Sequence, residues 1–147
     1  METPESLRLA DAAERLQLEN HSEANEALDI VTPVARVHPE VLELRYAVFV
    51  TAKNWTEALE VALALVETAP NRATPWLHRA YAQHRLGRTR EALYGLLAVA
   101  ESFPGDWLLR YNLAQYSCQL GELKNAWDWL RQAFALGAHA GRALAFA

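Results

Sequence analysis

Residues 75–104, PWLHRAYAQHRLGRTREALYGLLAVAESFP, decide how this chain is read, because their pattern returns at a fixed distance on either side. Gly87 and Ala92 reappear as Gly121 and Ala126, a spacing of 34, and at the same spacing backwards Ala92 and Pro104 have counterparts in Ala58 and Pro70. One further copy fits on Ala27 and Pro39, at a shorter spacing of 31 before Ala58 and Pro70. A fixed period of this length is the mark of stacked supersecondary units, none of which can bury its apolar face alone.

Within each copy two stretches carry apolar residues at helical spacing, as in Leu42, Val48 and Phe49 followed by Ala58, Leu59, Ala62, Leu65 and Val66. The unit is therefore a helical hairpin, and the fold class is all-α: about four stacked antiparallel hairpins over 5–37, 39–69, 73–103 and 106–137, with a capping segment at 138–147, in one domain spanning 1–147. Short turns are expected at Ser22, Lys53, Gly87 and Gly121. Glycine suits such a place, since helices commonly end on a left-handed residue that Gly adopts without Cβ strain. Thr74 before Pro75 reads as a capping oxygen ahead of a first-position proline, and Asp106 as the cap of the following helix. Pro70 and Pro104 should stop the helices before them, and Pro33 implies a kink inside the second helix of the first hairpin.

The column Ala27, Ala58, Ala92 and Ala126 is explained by packing, because a side chain without bulk lets two helices approach closely. In the last hairpin Leu123, Ala126, Leu130, Ala133 and Phe134 form one apolar stripe with Trp127 at its edge.

Trp76, Ala80, Leu86, Gly87, Ala92, Leu96 and Pro104, at this period, resemble the tetratricopeptide repeat (TPR), and the resemblance runs over roughly residues 8–138. It implies a right-handed solenoid that binds proteins. Arg79 and Gln83 stand where that family has apolar or aromatic residues, and Tyr46 where it has a small one. The first helix, Glu5 to Glu19, matches the pattern poorly and reads as a degenerate capping copy. A narrower run, Tyr111-Asn112-Leu113-Ala114 with Cys118, Gly121, Ala133 and Leu136, resembles kinesin light-chain repeats and bacterial kinesin light-chain-like proteins that accompany bacterial tubulins.

The composition limits the partners. Lys plus Arg number 14 against 18 Asp plus Glu, a net charge of −4, so there is no excess of cations for a phosphate backbone or an anionic membrane. Nucleic acid and membrane are not expected. Cys118 is the only cysteine, the first five residues are acidic where a signal peptide is basic, and the longest purely apolar run is Val61 to Val66. A soluble cytoplasmic protein is the expectation.

Chemistry is sparse. The chain has no glycine-rich phosphate loop, no Gly-x-Ser-x-Gly elbow and no His-Glu-x-x-His pair, so an enzyme, a cofactor or a metal site is not expected. His78 and His84 are six positions apart, about 240° around a helix, and cannot share one metal. Cys118 reads as a small buried hydrophobe. Trp76 and Trp127 read as core, whereas Trp55 in a turn and Trp129 off the stripe have no evident role.

In TPR arrays the first helix of each hairpin lines the concave face. Carried over, that pattern selects Glu40 and Glu43, then Leu77, Tyr81, His84 and Arg85, then Tyr111, Gln115 and Gln119, with Asn112 offering an amide to a peptide backbone. The mixture of aromatic and polar residues suits the grip of a peptide or partner protein. A carboxylate clamp of the chaperone-cofactor type is not expected, because the matching positions hold Leu77 and Tyr81 and no lysine. The leading expectation is a non-enzymatic interaction scaffold. The alternatives are an accessory protein of a tubulin-like polymer and a small secretion-type chaperone. Beyond Leu136 the chain is mostly apolar, so Leu144 and Phe146 are expected either to cover the last hairpin or to bury themselves in a second copy as a weak homodimer through the C-terminus.

Overall fold

The computed structural model describes residues 8–13, 23, 26 and 38–139, and the first six of these with residues 23 and 26 are helical. The expectations at Ser22, Ala27, Pro33, Leu144 and Phe146 lie outside the described residues. No strand occurs among those described. The chain forms two compact units, Met1–Pro70 and Asn71–Ala147.

In the first unit, α1 (Pro39–Thr51) and α2 (Trp55–Thr68) pack as a hairpin. Pro39 opens α1 at a position whose N–H has no helical partner, and the His38 side chain caps it by accepting the Glu40 N–H at 3.2 Å. Trp55, expected in a turn, is the first residue of α2. Val41, Leu42, Tyr46 and Val48 on α1 and Ala58, Val61, Ala62 and Leu65 on α2 are buried. Tyr46 thus fills with a ring the space where the repeat pattern has a small residue.

The second unit holds two hairpins, α3 (Ala73–Arg85) with α4 (Thr89–Val99) and α5 (Trp107–Gln119) with α6 (Leu123–His139), and a 3-10 turn, Ala100–Ser102, follows α4. α3 starts earlier than the Thr74-Pro75 pair suggests: its first residue is Ala73 and its N-cap is Arg72, with no side-chain cap bond. Pro75 falls in the first turn, where helix N–H groups have no partner and the missing donor costs nothing. Asp106 does cap α5, its Oδ1 accepting the Leu109 N–H at 2.9 Å.

Three turns repeat one geometry at a spacing of 34. Lys53, Gly87 and Gly121 have φ of 60°, 81° and 78°. In each case the next residue donates its N–H back across the turn, Asn54 to Phe49 O at 2.8 Å, Arg88 to Gln83 O at 2.8 Å and Glu122 to Ser117 O at 2.9 Å. These are Schellman endings, which satisfy carbonyls that the helix leaves open. Only the first makes a side chain adopt the left-handed region. Lys53→Gly removes that strain at the cost of extra freedom in the unfolded chain, and we expect a net gain of about 0.5–1 kcal/mol, read as a higher denaturation midpoint in urea at unchanged slope.

The core of this unit is Leu77 and Ala80 of α3, Ala92, Leu93 and Leu96 of α4, Ala100, and Leu109, Leu113 and Tyr116 of α5, with Trp76, Phe103, Leu120 and Trp129 packed on it. Ala58 and Ala92 of the small column are fully buried, whereas Ala126 is only half-buried. The tryptophans of α6 exchange their expected roles: Trp129 meets the core and Trp127 is 59% exposed, because two positions along a helix turn a side chain about 200°. Arg79, at an apolar position of the repeat, lays its guanidinium over Trp76 at 4.8 Å and against Gly95, whose hydrogen leaves it room. Burial pulls the Arg79 pKa below its usual value.

Arg110 is a buried cation. Its Nη1 donates to Phe103 O at 2.6 Å and Asp106 O at 3.3 Å, and its Nη2 to Ala100 O at 3.0 Å. One side chain thereby fixes the path from α4 through the 3-10 turn into α5.

Candidate functional site

The residues selected for the concave face are distributed unevenly. Glu40 and Glu43 lie on α1 in the first unit, Glu40 exposed in the first turn and Glu43 half-buried. In the second unit Leu77 is a correction: at 7% exposure it belongs to the core between α3, α4 and α5 and is closed to a partner. Its position in the repeat puts it on the face of α3 that α5 covers.

Tyr81 and Arg85 are exposed on α3, a little over one turn apart. His84, between them in sequence, turns inward. Its Nδ1 lies 2.9 Å from Thr89 Oγ1 and its ring 5.0 Å from that of Tyr116. Burial, and after it the charge of Arg85, push the His84 pKa below the usual histidine value. The Tyr116 hydroxyl is buried without a hydrogen-bond partner among the described residues, and burial, with the nearby Tyr81 second, raises its pKa above the ordinary phenol value. His84 is thus a positioning group inside the unit more than a contact for a ligand.

On α5, Tyr111, Gln115 and Gln119 do come together. They occur at intervals of four, on one face of the helix, and with Ala114 and Cys118 they form one wall of a groove of about 460 Å³. Leu123, Ala126, Trp127 and Leu130 of α6 form the other wall. All nine lining residues are uncharged. Asn112 is half-buried and outside this lining.

The groove corrects one expectation: Cys118 is exposed in its lining and not a core hydrophobe. Along the stripe on α6 Ala133 is buried, Ala126 and Leu130 are half-buried and Leu123 is 67% exposed. The apolar spacing on α6 is legible in the sequence; which of its residues are buried is not. A hydropathy pattern reports which face is apolar and not whether something packs on it.

Among the described residues no helix is long and apolar enough to cross a membrane. No protein-family model and no curated protein matches the chain. Solved structures do. Residues 41 to the end of MamA from Desulfovibrio magneticus RS-1 superpose with a TM-score of 0.80 at 16% identity, over 91% of this chain and 76% of that one. A second crystal structure of MamA gives 0.80 at 10% identity, over 92% and 79%, and MamA MSR-1 gives 0.77 at 16%, over 95% and 80%. At such identities the likeness speaks for the fold alone. Together with the repeated Schellman turns and the buried alanines, it shows that this chain has a TPR-like, all-α fold of helical hairpins.

Proposed function

We propose that the chain is a non-enzymatic scaffold that holds a peptide or a partner protein on the face presented by the first helices of its hairpins. The observation that carries this reading is the exposure of Tyr81 and Arg85 on α3 and of Tyr111 on α5, two helices in contact within one unit. Two amphipathic rings and one planar cation are the residue types that dominate interface energetics, because they bury large area with little entropy to lose. The likeness to MamA is one of fold, and stacked helical hairpins offer extended surfaces, which supports a binding role over a catalytic one.

Alanine at Tyr81, Arg85 and Tyr111 together leaves helix content and melting nearly unchanged, because exposed side chains contribute little to folding. It weakens partner capture at least tenfold, or about 1.4 kcal/mol. The measurement is a pulldown from the source lysate, wild type beside the triple variant, with quantitative mass spectrometry, and with cosedimentation on a tubulin-like polymer as a directed arm. Equal recovery of the same partner by both proteins contradicts the reading.

A further inference from the structure

A second hollow, of about 250 Å³, lies in the second unit between α4, the end of α5 and the start of α6, and it shares no residue with the groove described above. Leu93 and Ser117, 2% and 1% exposed, are its floor. Tyr94 and Leu97 of α4, both exposed, and Trp129 of α6, half-buried, are its walls. Glu122 and Asn125 complete the lining. Glu122 precedes α6, Asn125 stands three positions on and Trp129 four beyond that, a spacing that keeps all three on one face.

The polar groups of this lining are acceptors short of donors. Ser117 Oγ is buried with no hydrogen-bond partner among the described residues, an arrangement that costs stability unless something else meets it. The Glu122 carboxylate has neither an ion pair nor a side-chain hydrogen bond among the described residues. Arg90 lies outside the lining and donates to the Tyr94 hydroxyl at 3.4 Å, so it does not neutralise Glu122, and what Tyr94 leaves to an incoming group is its ring. An apolar side chain entering here would strand the Ser117 hydroxyl and strip water from the carboxylate, and an anion would meet Glu122. A planar cation suits every part. It stacks on the rings of Trp129 and Tyr94, gives the carboxylate two parallel N–H bonds, and has donors left for Ser117 Oγ and Asn125 Oδ1. An ammonium is a point charge with three donors and no face to stack.

We propose that this hollow receives an arginine side chain presented by a partner protein. Its volume is below the roughly 300–1,000 Å³ of small-molecule sites and suits a single side chain, and the net charge of −4 on the chain favours a basic partner. The site goes beyond the scaffold reading, because Tyr81, Arg85 and Tyr111 are outside its lining and the contact falls on α4 and α6, the second helices of two hairpins. It also gives Trp129, which the repeat pattern leaves without a role, a ring shared between the core and a ligand.

The capped tripeptide acetyl-Gly-Arg-Gly-amide, titrated into the isotopically labelled full chain, is read by NMR at the Trp129 indole N–H, which is identified by its loss in Trp129→Phe. The same tripeptide with lysine or citrulline is the comparison, since citrulline keeps the shape of arginine and removes its charge. The expected result is a saturable shift with a dissociation constant on the order of millimolar, the scale of one side chain without the rest of its partner, at least about threefold weaker with lysine and absent with citrulline. Glu122→Gln weakens arginine binding about tenfold or more. Ser117→Ala weakens it about threefold and at the same time raises the unfolding midpoint, because it removes a buried hydroxyl that has no partner in the free chain. Unchanged helical circular dichroism shows that each variant is folded. A Trp129 signal unmoved by the arginine tripeptide, equal binding by lysine or citrulline, Glu122→Gln that binds as the wild type does, or Ser117→Ala that gains stability with binding unchanged each overturns the proposal. Alanine at Tyr81, Arg85 and Tyr111 leaves the Trp129 shift in place, so failure here leaves the scaffold reading to its own test.

Discussion

Ala92→Glu lowers the melting temperature by about 8 °C or more. Ala92 has no exposed surface and sits on α4 in one core cluster with Leu77, Leu96 and Leu113. Glutamate there must either lose its charge or hold it away from water, and its added atoms have no space in the packed helices. Burial of an unpaired polar group and overpacking each cost a few kcal/mol, so the sum is about 4 kcal/mol or more, and each kcal/mol moves the midpoint of a chain this size by roughly 2–4 °C. Thermal unfolding followed by far-UV circular dichroism measures it. Ala126→Glu is the internal control. It occupies the same place in the repeat, yet Ala126 is half-buried beside an open groove, and the expected loss is about 1 kcal/mol or less. Equal losses at the two positions would mean that α5 does not distinguish the two hairpins by covering one of them.

That pair of positions also marks what a sequence can and cannot say about this fold. Ala92 and Ala126 are identical in type and period, and the spacing finds both; it also finds the left-handed turns at Lys53, Gly87 and Gly121, because a helix end constrains its residue locally. Cover, in contrast, is a relation between elements. The repeat pattern places Leu77 on a binding face, and it is core; it places Trp127 in the core, as residue type places Cys118, and both line a groove. All three depend on whether another helix lies above them, which the period of 34 cannot report at the end of an array. Tyr111, Gln115 and Gln119 are legible as one face because their interval of four is internal to α5.

The arginine that holds α4 to α5 is not legible at all. Arg110 follows an apolar pair, Leu108-Leu109, on a helix with no other basic residue, and a lone arginine is ordinarily read as a solvated surface charge. The structure buries it and gives its guanidinium three backbone carbonyls, from Ala100, Phe103 and Asp106. Two of these belong to the turn after α4, where Ala100 O and Phe103 O each also accept a backbone N–H, from Phe103 and Asp106 at 3.2 Å, and carbonyls at a helix end favour a cation as second partner. Arg110→Met keeps much of the stem and removes every donor, so that Ala100 O and Phe103 O keep only their backbone partners, the N–H groups of Phe103 and Asp106. Hydrogen bonds to a charged group contribute about 1.5–3 kcal/mol, and the turn carbonyls keep a backbone partner, so the expected loss is about 2–3 kcal/mol in urea unfolding. Arg110→Lys separates charge from geometry: a single ammonium keeps the attraction but cannot span three carbonyls presented to a planar fork, and it should recover no more than about half of that loss. If lysine restores the full stability, the charge alone anchors the connection. If methionine costs nothing, the path from α4 into α5 is set by the packing of Leu109 and Leu113 and not by the arginine.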